Sequence, residues 1–467
     1  MANTYLYRQC DATASSGYSS TWTWSGWVKR SKLGSPEQGI FQNKKDAHVS
    51  ASRFRMSFGS SDKLLWECKD STSNDDSSFQ TNMLFRDTNA WYHIVFSYDS
   101  TQSTEADRLK LWVNGVDIRN DGGGFSSIDE ASNGFGTLWS SASKHLIGYT
   151  SNNSGTAHYF DGCMSHVHLT YGTTYTASTF GSFDNVTGEW KINTSPNVTY
   201  GSQGYFMLKD NASVTDQSGE GNDFTASGTL TFTHDNPSNI FATINPNTGN
   251  PLGLSNGGLK AVQSSGGTSS YNPKYFSNLG YAEGKFYWET KVSNFSTTSG
   301  HSVGLFRTNK GHVPSFGGDS TESGQGIGSN GIFYYFAEST TYLSKYGTNE
   351  QSGSVGSTLS SGDIISCSHD VSAGEFKYYV NGSQIGSTLT GVSSANDGYY
   401  YIPFWGFESK PSSRYCTMEM NMGNGYFGTT AISTNSGNGY ADADSRGKFN
   451  YSVPTNHRAL CTRGLNQ

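Results

Sequence analysis

Thr21-Trp22-Thr23-Trp24-Ser25-Gly26-Trp27-Val28-Lys29-Arg30 is the stretch on which the reading of this chain turns. Trp22, Trp24 and Val28 recur at a period of two and so share one face, which is the alternation of a β-strand. The expectation is a strand buried on half of its surface. Further on, Trp91-Tyr92-His93-Ile94-Val95-Phe96-Ser97-Tyr98 is apolar on both faces, and Leu109-Lys110-Leu111-Trp112-Val113 runs into Asn114-Gly115. An Asn-Gly pair after such a run marks a two-residue hairpin, because both central residues need positive φ. The second half repeats the move: Phe376-Lys377-Tyr378-Tyr379-Val380 runs into Asn381-Gly382. Each hairpin is followed by a further glycine-containing apolar strand, His145 to Tyr149 in one half and Ile402 to Phe407 in the other.

Composition agrees with this pattern. The 467 residues include 56 Gly, 28 Tyr, 27 Phe and 10 Trp, with only 34% hydrophobic and 15% charged residues. Aromatic side chains suit a half-buried pleated surface, and glycine with Asn, Ser and Thr suits turns. With no helix-period segment of useful length, the fold class is all-β, two tandem antiparallel β-sandwiches. Asn193 to Gly228 is turn-rich, and Asp235-Asn236-Pro237-Ser238 opens the second half. The domains are therefore placed at residues 1–229 and 230–430. A loop-like tail, residues 431–467 with Ser436-Gly437-Asn438-Gly439, is expected to be pinned against a domain or a partner.

The formal charge is −7, and no Lys/Arg block tracks a phosphate backbone, so nucleic acid is not an expected partner. No run of ~18 apolar residues is present, and Met1 to Tyr5 lacks the basic and apolar regions of a secretory signal. A chain made in a cytoplasm and remaining soluble, without membrane insertion, is the expectation. The six cysteines form no CxxC pair, which gives no support to a zinc or thioredoxin-type centre and favours structural thiols.

Trp24-Ser25-Gly26-Trp27-Val28-Lys29, Trp91 to Val95, Leu111 to Gly115, Ile147-Gly148 and Tyr159-Phe160-Asp161-Gly162 with Val167-His168-Leu169 together resemble a laminin-G-like, concanavalin-A-like jelly roll over residues 1 to 180. Gly201-Ser202-Gln203-Gly204-Tyr205-Phe206, with Asp216-Gln217-Ser218-Gly219 and Gly221-Asn222-Asp223, resembles the segment trailing this domain in marine phage structural proteins, as does Asn239 to Pro246. The second half is similar to the SPRY sandwich in Gly284-Lys285-Phe286-Tyr287-Trp288-Glu289, Val303-Gly304-Leu305, Gly362-Asp363-Ile364-Ile365, Asp370 and the Val380-Asn381-Gly382 hairpin. There Phe286, Trp288 and Val292 alternate with Lys285, Glu289 and Lys291, which predicts a strand with one wet face. The resemblance implies a binding or structural module of a tailed-bacteriophage virion, a capsid decoration or a fibre.

Concanavalin-like folds also host glycosidases, which need two carboxylates ~5–5.5 Å apart in the retaining case. The Glu-x-Asp-x-Glu signature is absent: Glu105-Ala106-Asp107 has Leu109 where the last Glu belongs, and Asp129-Glu130 would face opposite sides of a strand. His166 and His168 share a face at i, i+2, but two imidazoles make an incomplete metal site. Asp216 to Gly221 begins like a calcium loop, yet Ser227 stands where a bidentate Glu is needed, so an Asp/Ser-stabilised turn is favoured. Asp121-Gly122-Gly123-Gly124 lacks the lysine and helix of a P-loop. Tyr399 and Tyr400, after Asp397-Gly398, are the candidate ligand-binding residues: exposed rings stack on sugar faces, although alternate rings of Tyr399-Tyr400-Tyr401 could instead enter the core before Phe404.

The expectation is a non-enzymatic phage virion surface protein without catalytic residues, cofactor or metal, leaning toward a capsid decoration or appendage since fibre heptads and repeats are lacking. Its partners would be other virion proteins, of capsid or tail, and host-surface glycans, and it would be oligomeric or multi-copy on the particle. The alternative is a carbohydrate-binding receptor-recognition module of a tail fibre, and after that a polysaccharide-degrading enzyme.

Overall fold

The computed structural model describes residues 4–11, 18–45, 53–69, 75–140, 142–152, 155–209, 213–245, 253–263, 274–295, 300–309, 330–337, 341–351, 355–356, 358–393, 398–407, 415–432 and 440–465. The chain divides into two units, Met1–Phe232 and Thr233–Gln467. Each is a sandwich of one eight-stranded and one six-stranded sheet.

In the first unit the larger sheet runs, edge to edge, Phe125–Asp129, Asp75–Leu84, Lys63–Lys69, Arg53–Phe58, Gln38–Lys45, Ser143–Ile147, Tyr5–Gln9 and Thr225–Ser227. The smaller runs Val116–Asp117, Leu109–Val113, Tyr92–Asp99, Thr21–Arg30, Gly162–Tyr171 and Tyr205–Met207. The turn-rich segment that trails the jelly roll thus contributes a strand to each sheet. All ladders in this unit are antiparallel. Aromatic rings fill the space between the sheets: Trp22 stacks on Tyr98 and Phe54 at 5.5 and 5.1 Å, and Trp24 on Phe41 at 4.8 Å.

The strand Thr21–Arg30 corrects the expectation of half burial, because every residue from Trp22 to Arg30 is buried. Its second face lies under the chain that follows the last long strand. There Thr23 Oγ1 accepts from the Tyr175 N–H, Ser25 Oγ bonds His93 Nε2 at 2.9 Å, and Trp27 stacks on His93. The short helix Ala177–Phe180 and the hairpin Gly181–Phe183/Trp190–Ile192 close over Val95 and Trp112. Thr23 and Ser25 are buried on that face because each finds a hydrogen bond.

In the second unit the larger sheet runs Leu254–Ser255, Lys260–Gln263, Cys416–Asn421, Lys285–Ser293, Ile364–Asp370, Glu375–Val380 and Ser383–Leu389, with Arg458–Ala459 pairing parallel to Lys285–Ser293. The smaller runs Lys274–Phe276, Tyr399–Phe407, His301–Asn309, Gly331–Phe336, Thr341–Lys345 and Thr348–Gln351. Trp288, Phe376 and Met418 meet Val303, Tyr334 and Trp405 between them.

The wet face predicted for Lys285–Ser293 is corrected at its middle: Lys285 and Lys291 are partly exposed, but Glu289 is wholly buried and Tyr287 nearly so. The tail covers them. Mostly turn and coil over its described length, it is pinned by the two-residue strands of the hairpin Tyr440–Ala441/Lys448–Phe449 and by the strand Arg458–Ala459, and it buries Phe449, Leu460 and Cys461. Ser436-Gly437-Asn438-Gly439 and Pro246 lie outside the described residues.

Candidate functional site

The three tyrosines singled out by the sequence part company. Tyr401 enters the core, while Tyr400 is 38% exposed beside it on the strand Tyr399–Phe407. Tyr399 is half-buried, its ring centroid 4.8 Å from the Arg307 guanidinium, which lies 3.7 Å from the ring centre of Tyr346. The cation therefore holds Tyr399 in place, and Tyr400 alone of the pair presents a ring to solvent. Asp397 lies outside the described residues.

His166 and His168 both lie against Phe206, at centroid distances of 5.7 and 3.9 Å. A bulge between Ser165 and His168 puts His166 at φ +47°, and the His168 Nδ1 pairs with the Tyr200 hydroxyl at 2.9 Å. Burial, with His166 and His93 close by, pushes the His168 imidazole well below its ordinary range. Among the described residues no group of three or more His, Cys, Asp or Glu is placed to hold a metal ion.

Asp216 organises a turn. Its Oδ1 accepts from the Phe206 and Ser218 N–H groups and its Oδ2 from Ser218 Oγ and the Asn222 N–H. Glu105 and Asp107 sit in a single 3₁₀ turn, with Asp107 paired to Lys110 at 3.0 Å. Glu130 is held by Arg119 at 2.5 Å. In the glycine run after Asp121, Gly123 and Gly124 take φ of +85° and +75°.

A site that the sequence reading passed over lies on the outer side of the first unit's larger sheet. In Tyr5–Gln9 the residues Leu6 and Arg8 turn inward, which leaves Tyr5 and Tyr7 half-exposed on the other face. The hairpin Tyr149–Ser151/Ala157–Tyr159 folds onto the same face at Gly39. Only glycine permits this approach, since a Cβ there would stand 2.2 Å from the Thr150 nitrogen. Tyr149 and Tyr159 are thereby brought beside Tyr5, at 4.9 and 6.1 Å, with Tyr7 at 6.0 Å. Lys44 Nζ lies 5.5 Å from the Tyr149 ring centre. Burial, then the neighbouring tyrosines, raises the Tyr149 hydroxyl above its ordinary range.

Next to this ledge is an open polar depression of about 450 Å³, whose lining includes Tyr7, Gln9, Asp11, Lys144, Glu220 and Asp223. The loop on its far side is fixed from below: Arg8 donates to Asn222 Oδ1 and Gln203 Oε1, and Asn222 Nδ2 donates to the Ser202 and Gly204 carbonyls. Ring faces for stacking thus adjoin carboxylate acceptors, amide groups and one ammonium. That combination suits a polyhydroxylated ligand. The Tyr5-x-Tyr7 alternation was a visible signal for half of the ledge. Its joining to Tyr149 and Tyr159 was not visible.

Residues 5–179 match the family model described as the concanavalin A-like lectin/glucanases superfamily. The four tyrosines of the ledge all lie within this concanavalin A-like part of the chain, and the loop carrying Glu220 and Asp223 lies beyond it. Solved structures similar to the chain include the SPRY domain of human HERC1, with 19% identity, 38% of this chain and 96% of that one covered, and a TM-score of 0.29. The PSpry domain of TRIM65 has 16% identity, coverage of 38% and 88%, and a TM-score of 0.29. The heptameric SAP-like pentraxin from Limulus polyphemus has 13% identity, coverage of 49% and 90%, and a TM-score of 0.29. No curated protein matches the sequence.

Proposed function

We propose that this chain is a surface protein of a tailed-bacteriophage particle that works by adhesion and not by turnover, and that its first unit takes a saccharide. The observation that carries the binding reading is the ledge of Tyr5, Tyr7, Tyr149 and Tyr159 beside the depression lined by Gln9, Asp11, Lys144, Glu220 and Asp223. Sugar rings offer C–H faces to the tyrosines, and their hydroxyls both donate to carboxylates and accept from amide and ammonium groups. The lectin name of the family matched by residues 5–179 supports this class of ligand. Placement on a virion is supported by the phage-like segments at residues 201–223 and 239–246, and makes other virion proteins its structural partners.

A glycan array probed with the full chain tests the first claim. Retention of a saccharide class, weakened in Tyr149→Ala and kept in Tyr400→Ala, is the expected result, and an array without retention overturns it. Imaging of purified particles tests the second, and absence of the protein from particles overturns it. Release of sugar from a polysaccharide, abolished by changing one acidic side chain, would make the protein an enzyme instead.

A further inference from the structure

Glu289 stands on the outer side of the strand Lys285–Ser293 with no exposure to solvent, and the binding reading leaves it unused. Its Oε1 accepts from the Tyr451 N–H at 2.9 Å and from the Tyr287 hydroxyl at 3.2 Å. Its Oε2 accepts from the Asn450 N–H at 2.9 Å and from Asn421 Nδ2 at 3.0 Å. Two of the four donors thus belong to the C-terminal segment. That segment is folded upon itself by Asp442, which accepts from the Arg446, Gly447 and Ala459 N–H groups. Phe449 sets its ring edge on Tyr287 at 5.0 Å.

All four donors are neutral, and among the described residues no cation lies within ion-pair distance of Glu289. The groups facing it are Tyr287 on its own strand, Ser366 on the strand Ile364–Asp370, Asn421 on Cys416–Asn421, and Asn450 and Tyr451 of the segment. Asp363 adds a like charge that acts on Tyr451. Desolvation therefore outweighs the hydrogen bonds, and the carboxyl is pushed up to about 7. The added proton has a place to go. The Oε1–H can donate to the Tyr287 hydroxyl, whose own hydrogen turns to Ser366 Oγ, an atom otherwise without a partner. Both backbone bonds from Asn450 and Tyr451 survive this change.

We propose that residues 440–461 form a proton-sensitive strap across the second unit, lying down while Glu289 carries a proton and lifting as that proton is released to water. One proton leaves per strap opened, and the ionised carboxylate gains water in place of the strap. The closed state binds the proton more tightly than the open one, where Glu289 returns to its ordinary 4.5. Closure is thus favoured at low pH and is lost as pH rises through about 7.

Amide hydrogen exchange of residues 440–461 in the full chain, corrected for intrinsic exchange chemistry, tests this. Between pH 5.5 and 8.5 the opening constant should rise roughly thirty-fold. Glu289→Gln should flatten the dependence, and Ser366→Ala, which removes the final acceptor for the neutral form, should move its midpoint to lower pH. Flat protection in the unaltered chain, or an unchanged slope in Glu289→Gln, overturns the proposal. Should Glu289→Gln fail to fold, a midpoint unmoved in Ser366→Ala overturns it equally.

Discussion

The two units close the outer face of a sheet with the same device and differ in the polar group they bury beneath it. In the first, Asn114-Gly115 takes φ of +49° and +80°, the Asn114 N–H donates to the His93 carbonyl, and the His93 N–H donates to Asn114 Oδ1. In the second, Asn381-Gly382 takes +48° and +81°, and Asn381 makes the same pair of bonds with Ile364. Each hairpin glycine lies under a ring brought back by the chain that follows, Trp190 over Gly115 and Tyr451 over Gly382. Each returning residue also serves the buried group: Trp190 Nε1 donates to His93 Nδ1 at 2.9 Å, and the Tyr451 N–H donates to Glu289. The buried groups are an imidazole and a carboxyl, and desolvation moves their titrations in opposite directions. Frame, turn and cover are shared, and one side chain decides how the cover responds to acid.

The largest expected effect is therefore an asymmetry in acid. Burial holds His93 and His145 down at about 3, against 6.5 when unfolded, so stability present above 6.5 is lost as pH falls toward 3. Between pH 7.5 and 5 the first unit should lose about 2 kcal/mol for each of the two. In the second unit His369, lowered to about 4, loses on the order of 2 kcal/mol over the same range. Glu289, raised to about 7, gains on the order of 2 kcal/mol as pH falls through that value toward 4.5. Urea unfolding followed unit by unit at the two pH values should show the first unit weakening more than the second, where burial also lowers His234 and His457 and adds to the loss that Glu289 offsets. Equal weakening of both would break the comparison.

Next in size, Trp190→Ala should destabilise the first unit by about 3 kcal/mol, through the lost ring and the unpaired His93 nitrogen, read as a lower urea midpoint. Gly115→Ala and Gly382→Ala should each cost about 1–2 kcal/mol, since both need positive φ and a Cβ would meet Trp190 or Tyr451. A cost in one unit without the other would show that the two covers are not equivalent. Smallest is the ledge: Tyr149→Ala should weaken saccharide retention by about 1 kcal/mol, roughly five-fold, with urea midpoints of both units unmoved.

The strands, the paired Asn-Gly hairpins and the aromatic cores were legible in the chain because period-two alternation and positive-φ turn residues are local signals. Tyr399 and Tyr400 were legible as rings near a strand start, but their separate fates depend on Arg307 and Tyr346, which only strand pairing brings near.

By itself the sequence determined which side chains alternate and where the chain reverses, since both are settled by steric preferences within a few residues. Tertiary structure alone decided what lies over the polar faces. Ser25 and Glu289 read as solvent-facing in a strand pattern, yet both are wholly buried, because residues some seventy and some hundred and sixty positions later supply their partners. A hydrogen bond from a distant segment satisfies a polar group as water does, and no local pattern distinguishes the two.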